Sequence, residues 1–398
     1  MTGRGQTHRS TASSLSTVWR VVLALASLVL VLLAAEGVAR LLLPPQQLVE
    51  VEASDVRRGW NGPTEEREQR EGIDVLLDWS GEHGVRLAPN VRATIRGHRV
   101  SERDVVIETN SLGLRHSQLG PKEADEYRVL VLGDSITFGD YLPFDETYAA
   151  QLERRLAGRS SPVVVINAGL PGASTSDELY HYLEINDAVD PDLVLLAMYL
   201  NDAQSSHHFY ARSLPAPYAS SRALSWAVNR FELARHELWR DETVPEIDPG
   251  WREEFRGGRQ LASGDMYHAR DAFDFEIYNA HRDFGLAWYA PSWDLLERVT
   301  RTLSLAARER GHTLAACLFP VHIQVKGTVN DDRPQASFER MCRSLDLPCL
   351  DLLPVLRTHW HDTGRDPYFD HCHLRTHANA VVADALAEWL DREGLVPE

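Results

Sequence analysis

Residues 127–139 read Tyr-Arg-Val-Leu-Val-Leu-Gly-Asp-Ser-Ile-Thr-Phe-Gly, and this stretch decides the fold. Positions 129–132 are apolar without alternation, which predicts a strand buried on both faces rather than one with a wet side. Gly133-Asp134 breaks the run, and Ser135 is left at the carboxyl end of that strand. Behind it, residues 146–157 carry Tyr148, Leu152 and Leu156 at four-residue spacing, the apolar stripe of a helix.

The same rhythm continues outward. Residues 163–166, 193–198, 313–319 and 349–353 read as further short strands. Residues 176–188, 293–310, 337–345 and 376–392 read as helices. Strands alternating with helices imply an α/β fold with a mostly parallel sheet covered on both faces. Ligands bind such sheets at the carboxyl ends of the strands. Upstream, short alternating segments from 84 to 107 predict a strand-rich extension, with turn chemistry at 110–113. Residues 44–82 are charged and irregular and read as a spacer, placing the folded domain at 83–398. Residues 203–291 interrupt the repeat. They hold one amphipathic helix around 222–240 and many rings: Phe209, Tyr210, Tyr218, Trp226, Phe231, Trp239, Trp251, Tyr267, Tyr278 and Trp288. A structureless loop of that length is rare in a compact domain, so an insertion with its own structure is expected. Its rings suit either a lid or aromatic wall for substrate, or simple packing against the core.

The chain carries a formal net charge of −17 with no long Lys/Arg block, so it lacks the basic footprint that a nucleic-acid partner requires. Positions 21–35 are uncharged and rich in Leu, Val and Ala. As a helix they span roughly 22 Å, and flanking residues extend the element to 18–43, up to Pro44-Pro45, which stops it. Glu36 and Arg40 sit four apart and are expected to pair on one helical face. Arg4, Arg9 and Arg20 precede the core with no acid among them, so residues 1–17 are expected to stay cytoplasmic and everything beyond the membrane helix to face outward. Gly37-Val38-Ala39 also offers the small residues of a signal-peptide cleavage site, and cleavage would likewise export the domain. Of the four cysteines, Cys342 and Cys349 are close enough to close a short loop, leaving Cys317 and Cys372 as a second candidate pair; three pairings are open. No Cys-x-x-Cys pair is present, and no metal or other cofactor is expected.

The chemistry gathers at strand ends. A Ser on a strand-to-helix turn lies at the ligand edge, where neighbouring N–H groups can meet a developing oxyanion. A Ser hydroxyl needs a base, and the base an orienting group; alone, Ser135 would read as a helix N-cap. Asn167-Ala168-Gly169 ends the second strand, where glycine permits close backbone approach. Asn201-Asp202 ends the third and can supply an amide donor. Asp370-His371-Cys372-His373 precedes the last helix, and the three-residue spacing lets Asp370 orient His373.

With these residues in place, the chain resembles the SGNH/GDSL hydrolases, in their membrane-anchored bacterial type, over about residues 127–390. The resemblance implies a flavodoxin-like αβα sandwich and a Ser–His–Asp triad of Ser135, His373 and Asp370. It also implies an oxyanion hole from Ser135, Gly169 and Asn201, and no metal. Leu374 completes the Asp-x-x-His-Leu signature. Ile136 replaces the usual Leu with similar volume. Tyr199 stands where a Gly is common and bears on the shape of the cleft, and His371 is a competitor for the role of base. No Gly-x-Ser-x-Gly elbow is present. The implied activity is hydrolysis of an ester on a small molecule or glycan, such as a carbohydrate O-acetyl ester. Two alternatives are an O-acyltransferase acting on a cell-surface glycan with the same triad, and a non-catalytic glycan-binding protein that keeps the fold.

Overall fold

The computed structural model describes residues 10–42, 48–53, 68–71, 76–78, 86–98, 100–203, 270–280 and 283–398, together with positions 221, 223, 224 and 227. The chain divides into two compact units, residues 1–46 with 213–239, and residues 47–212 with 240–398.

The first unit is built on helix α1, Ser10–Leu42. Its segment Val18–Leu42 is long and apolar enough to cross a membrane. The expected pair forms, with Arg40 Nε donating to Glu36 Oε1 at 2.7 Å. Glu36 Oε2 accepts from Ser221 Oγ at 2.8 Å and from the Ala223 N–H at 3.0 Å. An acid on an apolar helix is costly unless its oxygens are satisfied, and here both are.

The second unit begins with strands. β1 (Leu48–Ala53), β2 (Glu68–Glu71), β5 (Val91–Ile95) and β6 (Val105–Glu108) form an antiparallel sheet in the order β2-β1-β5-β6. β3 (Leu77–Asp78) and β4 (Arg86–Leu87) pair as a small ladder beside it in sequence. The region expected to be a spacer therefore contains strands. Charge density points to a spacer, but Val49 and Val51 alternate with Glu50 and Glu52, and that period of two is what pairs with β5. β5 and β6 alternate buried and exposed positions, as a one-sided sheet should. Their inner face, with Ile95 and Ile107 fully buried, packs on Phe138, Leu170 and Ala173 of the following region.

There the rest of the unit follows in order: β7 (Tyr127–Gly133), α2 (Ser135–Phe138), α3 (Tyr148–Leu156), β8 (Val163–Gly169), α4 (Thr175–Val189), β9 (Leu193–Tyr199), α5 (Arg270–Asn279), α6 (Ser292–Glu309), β10 (Thr313–Phe319), α7 (His322–Lys326), α8 (Arg333–Leu345), β11 (Cys349–Asp351), α9 (Leu353–Thr363) and α10 (Thr376–Arg392). The sheet order is β11-β10-β9-β7-β8, and all four neighbouring pairs are parallel. Counting these strands from the first, the order is 2-1-3-4-5, the flavodoxin-like arrangement. Its switch point lies at β7, which has β8 on one side and β9 on the other. Val129, Leu130, Val131 and Leu132 are fully buried, each contributing roughly 1.5–3 kcal/mol. The last helix occupies the expected residues. The last strand is shorter than expected, because Leu353-Pro354 opens α9, where proline suits a first turn.

The amphipathic stretch 222–240 and nine of the ten rings of the insertion lie outside the described residues or side chains. Trp288 is described. It packs edge-on against Phe273 and Phe284, with centroids 5.8 and 6.2 Å away, and is part of the core rather than a substrate wall. All four cysteines are thiols in the structure, with Cys342 and Cys349 in side-chain contact.

Candidate active site

The turn that carries Ser135 is set by sterics at the end of β7. A Cβ on Gly133 would lie 2.1 Å from Thr137 Oγ1 and 3.0 Å from the Ala197 carbonyl, so only glycine fits. Asp134 Oδ1 accepts the Ile136 N–H at 2.8 Å and caps α2. The capping role that Ser135 could have filled thus falls to its neighbour, and the Ser135 hydroxyl is left for other work.

The C-terminal loop brings His373 to it. His373 Nε2 lies 2.9 Å from Ser135 Oγ, and Nδ1 lies 2.8 Å from Asp370 Oδ2. With Nδ1–H donated to the carboxylate, Nε2 is the nitrogen able to accept the serine proton. Asp370 Oδ1 accepts the N–H groups of Cys372 and His373 at 3.0 and 2.8 Å. Burial would raise the Asp370 carboxyl, but the hydrogen bond and charge of His373 and these two N–H groups hold it well below the usual carboxylate range. Burial likewise pulls the His373 imidazole down. Asp370, with the further charges of Asp140 and Asp134, overcomes this and raises it. Burial pushes the Asp134 carboxyl up to about 6.

His371, the competing base, is engaged elsewhere: its Nε2 pairs with Asp283 Oδ2 at 2.8 Å. The donor atoms of Asp370, Cys372 and His373 lie within 4.8 Å of one another. Both Asp370 oxygens and both His373 nitrogens already have hydrogen-bond partners, so the set fits a proton relay better than a cation.

Asn201 sits in a single turn, Leu200–Ala203, directly after β9. Asp202 Oδ2 pins that turn by accepting the Tyr199 N–H at 2.9 Å. Asn201 Nδ2 makes a long 3.5 Å approach to Asp134 Oδ2, placing its amide beside the turn that carries Ser135. Tyr199 is buried in the core, so its ring adds no exposed wall to the cleft.

Gly169 departs from expectation. Its N–H is donated to Asn167 Oδ1 at 3.0 Å. A Cβ there would come within 2.2 Å of the Phe138 amide nitrogen. The close approach that this glycine permits is therefore that of α2, not of a ligand. Three residues on, Gly172 is exposed at φ +70°, and its N–H makes no hydrogen bond among the described residues.

Two residues of the site carry no signal in the sequence pattern. Tyr141 donates its hydroxyl to Asp370 Oδ2 at 2.9 Å and stacks on His373, with centroids 4.2 Å apart and planes 23° from parallel. Arg115 is buried and donates to the carbonyls of Phe138, Gly139 and Leu142 at 2.5, 2.6 and 2.7 Å. Those bonds clamp the turn that leaves α2, and the guanidinium's pKa falls to about 10 through burial.

A family model described as the GDSL-like lipase/acylhydrolase family matches residues 131–381, a span that includes Ser135, Asn201, Asp370 and His373. The chain belongs to this family. Over 75 residues it is 33% identical to an arylesterase of Vibrio mimicus, covering 19% of this chain and 38% of the arylesterase. An alpha/beta hydrolase enzyme from the metagenome of Lake Arreo, Spain, is 12% identical, covering 67% of this chain and 95% of that one, with a TM-score of 0.39. A catalytic mutant of an acetylxylan esterase from Geobacillus stearothermophilus is 13% identical, covering 68% and 96%, with a TM-score of 0.38.

Proposed function

We propose that this member of the GDSL-like family is a serine ester hydrolase with Ser135 as nucleophile, His373 as base and Asp370 as the group that orients it. The observation that carries this reading is the continuous relay from Ser135 Oγ through His373 to Asp370, with contacts of 2.9 and 2.8 Å. In the reaction, Ser135 Oγ attacks the ester carbonyl while its proton passes to His373 Nε2. Asp370 remains ionised and stabilises the imidazolium. The tetrahedral oxyanion is met by the Ser135 N–H and the Asn201 amide. As the third donor we assign the Gly172 N–H instead of that of Gly169, which is already committed to Asn167. Collapse returns the proton to the leaving alcohol, and water, deprotonated by the same imidazole, releases the acid from acyl-Ser135.

The apolar helix at Val18–Leu42 and the arginines that precede it support a domain anchored to the outer face of a membrane by a single pass. For an enzyme so placed, the suitable substrates are short acyl esters, including O-acetyl groups on surface glycans. The test is fluorophosphonate labelling of the full chain with turnover of chromogenic esters of increasing acyl length. Labelling and turnover should both vanish in Ser135→Ala. A wild-type chain that neither labels nor turns over would sink the enzymatic reading. Acetyl transfer to an added glycan, in place of acetate release, would reassign it as an acyltransferase.

A further inference from the structure

The residues around His373 extend beyond the relay, and one of them comes from the antiparallel extension. The turn joining β5 and β6 carries His98, which is buried. Its Nδ1 accepts the N–H groups of Val100 and Ser101 at 3.3 and 3.2 Å, so the proton of the neutral ring resides on Nε2. That nitrogen lies 4.0 Å from Asp140 Oδ2. The His98 ring also lies against Tyr141, with centroids 4.3 Å apart. Tyr141 in turn stacks on His373 at 4.2 Å, so the three rings form one row, with His98 tilted by 47° against the far side of Tyr141. Arg115 fixes the backbone on both sides of Asp140-Tyr141 by holding the carbonyls of Gly139 and Leu142.

We propose that the β5–β6 turn completes the catalytic apparatus: His98 braces Tyr141, whose ring and hydroxyl position His373 and Asp370, and Asp140, next to Tyr141 in the chain and 4.0 Å from His98 Nε2, adds a second negative charge near these rings. This rests on the reading of Ser135, His373 and Asp370 as the triad. Tyr141 and Asp140 are positioning residues, since neither touches the reacting atoms. Their effects on the base have opposite signs. The Tyr141 hydroxyl withdraws part of the Asp370 charge and so weakens its pull on the imidazolium proton. The Asp140 carboxylate, buried with one oxygen unpartnered, adds to that pull. The other groups facing His373 are the Ser135 hydroxyl, Asp134, the Cys372 thiol at 3.4 Å, and the positively chargeable rings of His98 and His371. None of these is altered in the Tyr141 and Asp140 variants; Ser135→Ala serves only as the inactive control.

The experiment measures ester turnover against pH for the full-length chain and for Tyr141→Phe, Tyr141→Leu, Asp140→Asn and Ser135→Ala. Loss of a hydrogen bond to a charged group should lower kcat roughly tenfold in Tyr141→Phe, with KM unchanged. Because turnover needs the neutral imidazole, its acid limb should move to higher pH in Tyr141→Phe and to lower pH in Asp140→Asn. Tyr141→Leu, which also loses the stack, should fall further than Tyr141→Phe. A purely structural role would lower turnover without moving the two limbs in opposite directions. Wild-type profiles in Tyr141→Phe and Asp140→Asn, with Ser135→Ala inactive, would overturn the proposal and leave the triad standing. Activity persisting in Ser135→Ala would instead overturn the triad.

Discussion

The parallel and antiparallel sheets of the second unit are opposites in construction. Strands β7 and β9 are buried on both faces, so their side chains are spent on the core, and chemistry is confined to the carboxyl ends where Ser135 and Asn201 stand. Strands β5 and β6 are buried on one face only, and that face rests on Phe138, the last residue of α2, and on Leu170 and Ala173, just beyond β8. On the proposed reading, the ends of the parallel strands and the loop before α10 supply the reacting groups, and the antiparallel sheet backs the end of α2 that carries Phe138. A rigid frame beneath and a clamp above is how a site keeps the sub-ångström tolerance that proton relays require.

That division of labour can be broken at either sheet. The largest effect is expected at the relay. Asp370→Asn should lower kcat by roughly 10³–10⁴-fold, since the amide no longer enforces the tautomer with Nδ1–H. Steady-state turnover on a chromogenic ester checks this, and a loss below tenfold would remove Asp370 from the relay. Asn201→Ala should cost about 10²-fold in kcat with little change in KM if its amide meets the oxyanion; an unaltered kcat would argue that the amide serves only the turn.

The antiparallel sheet should respond differently. Ile107→Ala is expected to destabilise the fold by roughly 2–5 kcal/mol. If the sheet clamps the site, turnover should decline at temperatures below the unfolding transition, because Phe138 loses its support. Thermal denaturation run alongside activity separates the two, and full activity up to the transition would reduce the sheet to a passive lid. The smallest effect at neutral pH belongs to Glu178, buried on α4. Burial, then the charge of Asp202 and of Asp134, raises its carboxyl well above the usual range. A carboxyl raised on folding contributes stability that is complete below its ordinary pKa and is lost as pH climbs through the folded value. Glu178→Gln has no proton to lose, so its melting temperature should fall less between acid and alkaline pH than that of the wild type. Parallel melting curves across that range would contradict the neutral-acid state of Glu178.

Much of the site was legible because its parts are local. Val129 to Leu132 announce a doubly buried strand, and Asp370 and His373 are close enough in sequence to read as a pair. The N-cap question at Ser135 was open in the sequence and is settled by Asp134, whose carboxylate is better placed to take the Ile136 N–H. Gly169 was legible as a glycine that something must approach, but not as one approached by α2. β1 went unread because its glutamates weigh more in composition than its alternation does. Arg115 carries no sequence signal, because burial of a lone arginine is decided by the carbonyls that packing brings around it.

The sequence by itself determined the order of the strands of the parallel sheet, the apolar N-terminal helix and the residue types gathered at strand ends, because hydrophobic period and local spacing are properties of neighbours in the chain. Only the tertiary structure decided which histidine reaches Ser135, that the Gly169 N–H is committed to Asn167, and that Tyr141 lies between His98 and His373. Those choices depend on contacts between segments as many as 238 residues apart, whose geometry is set by packing and by competition for hydrogen-bond partners rather than by any pattern along the chain.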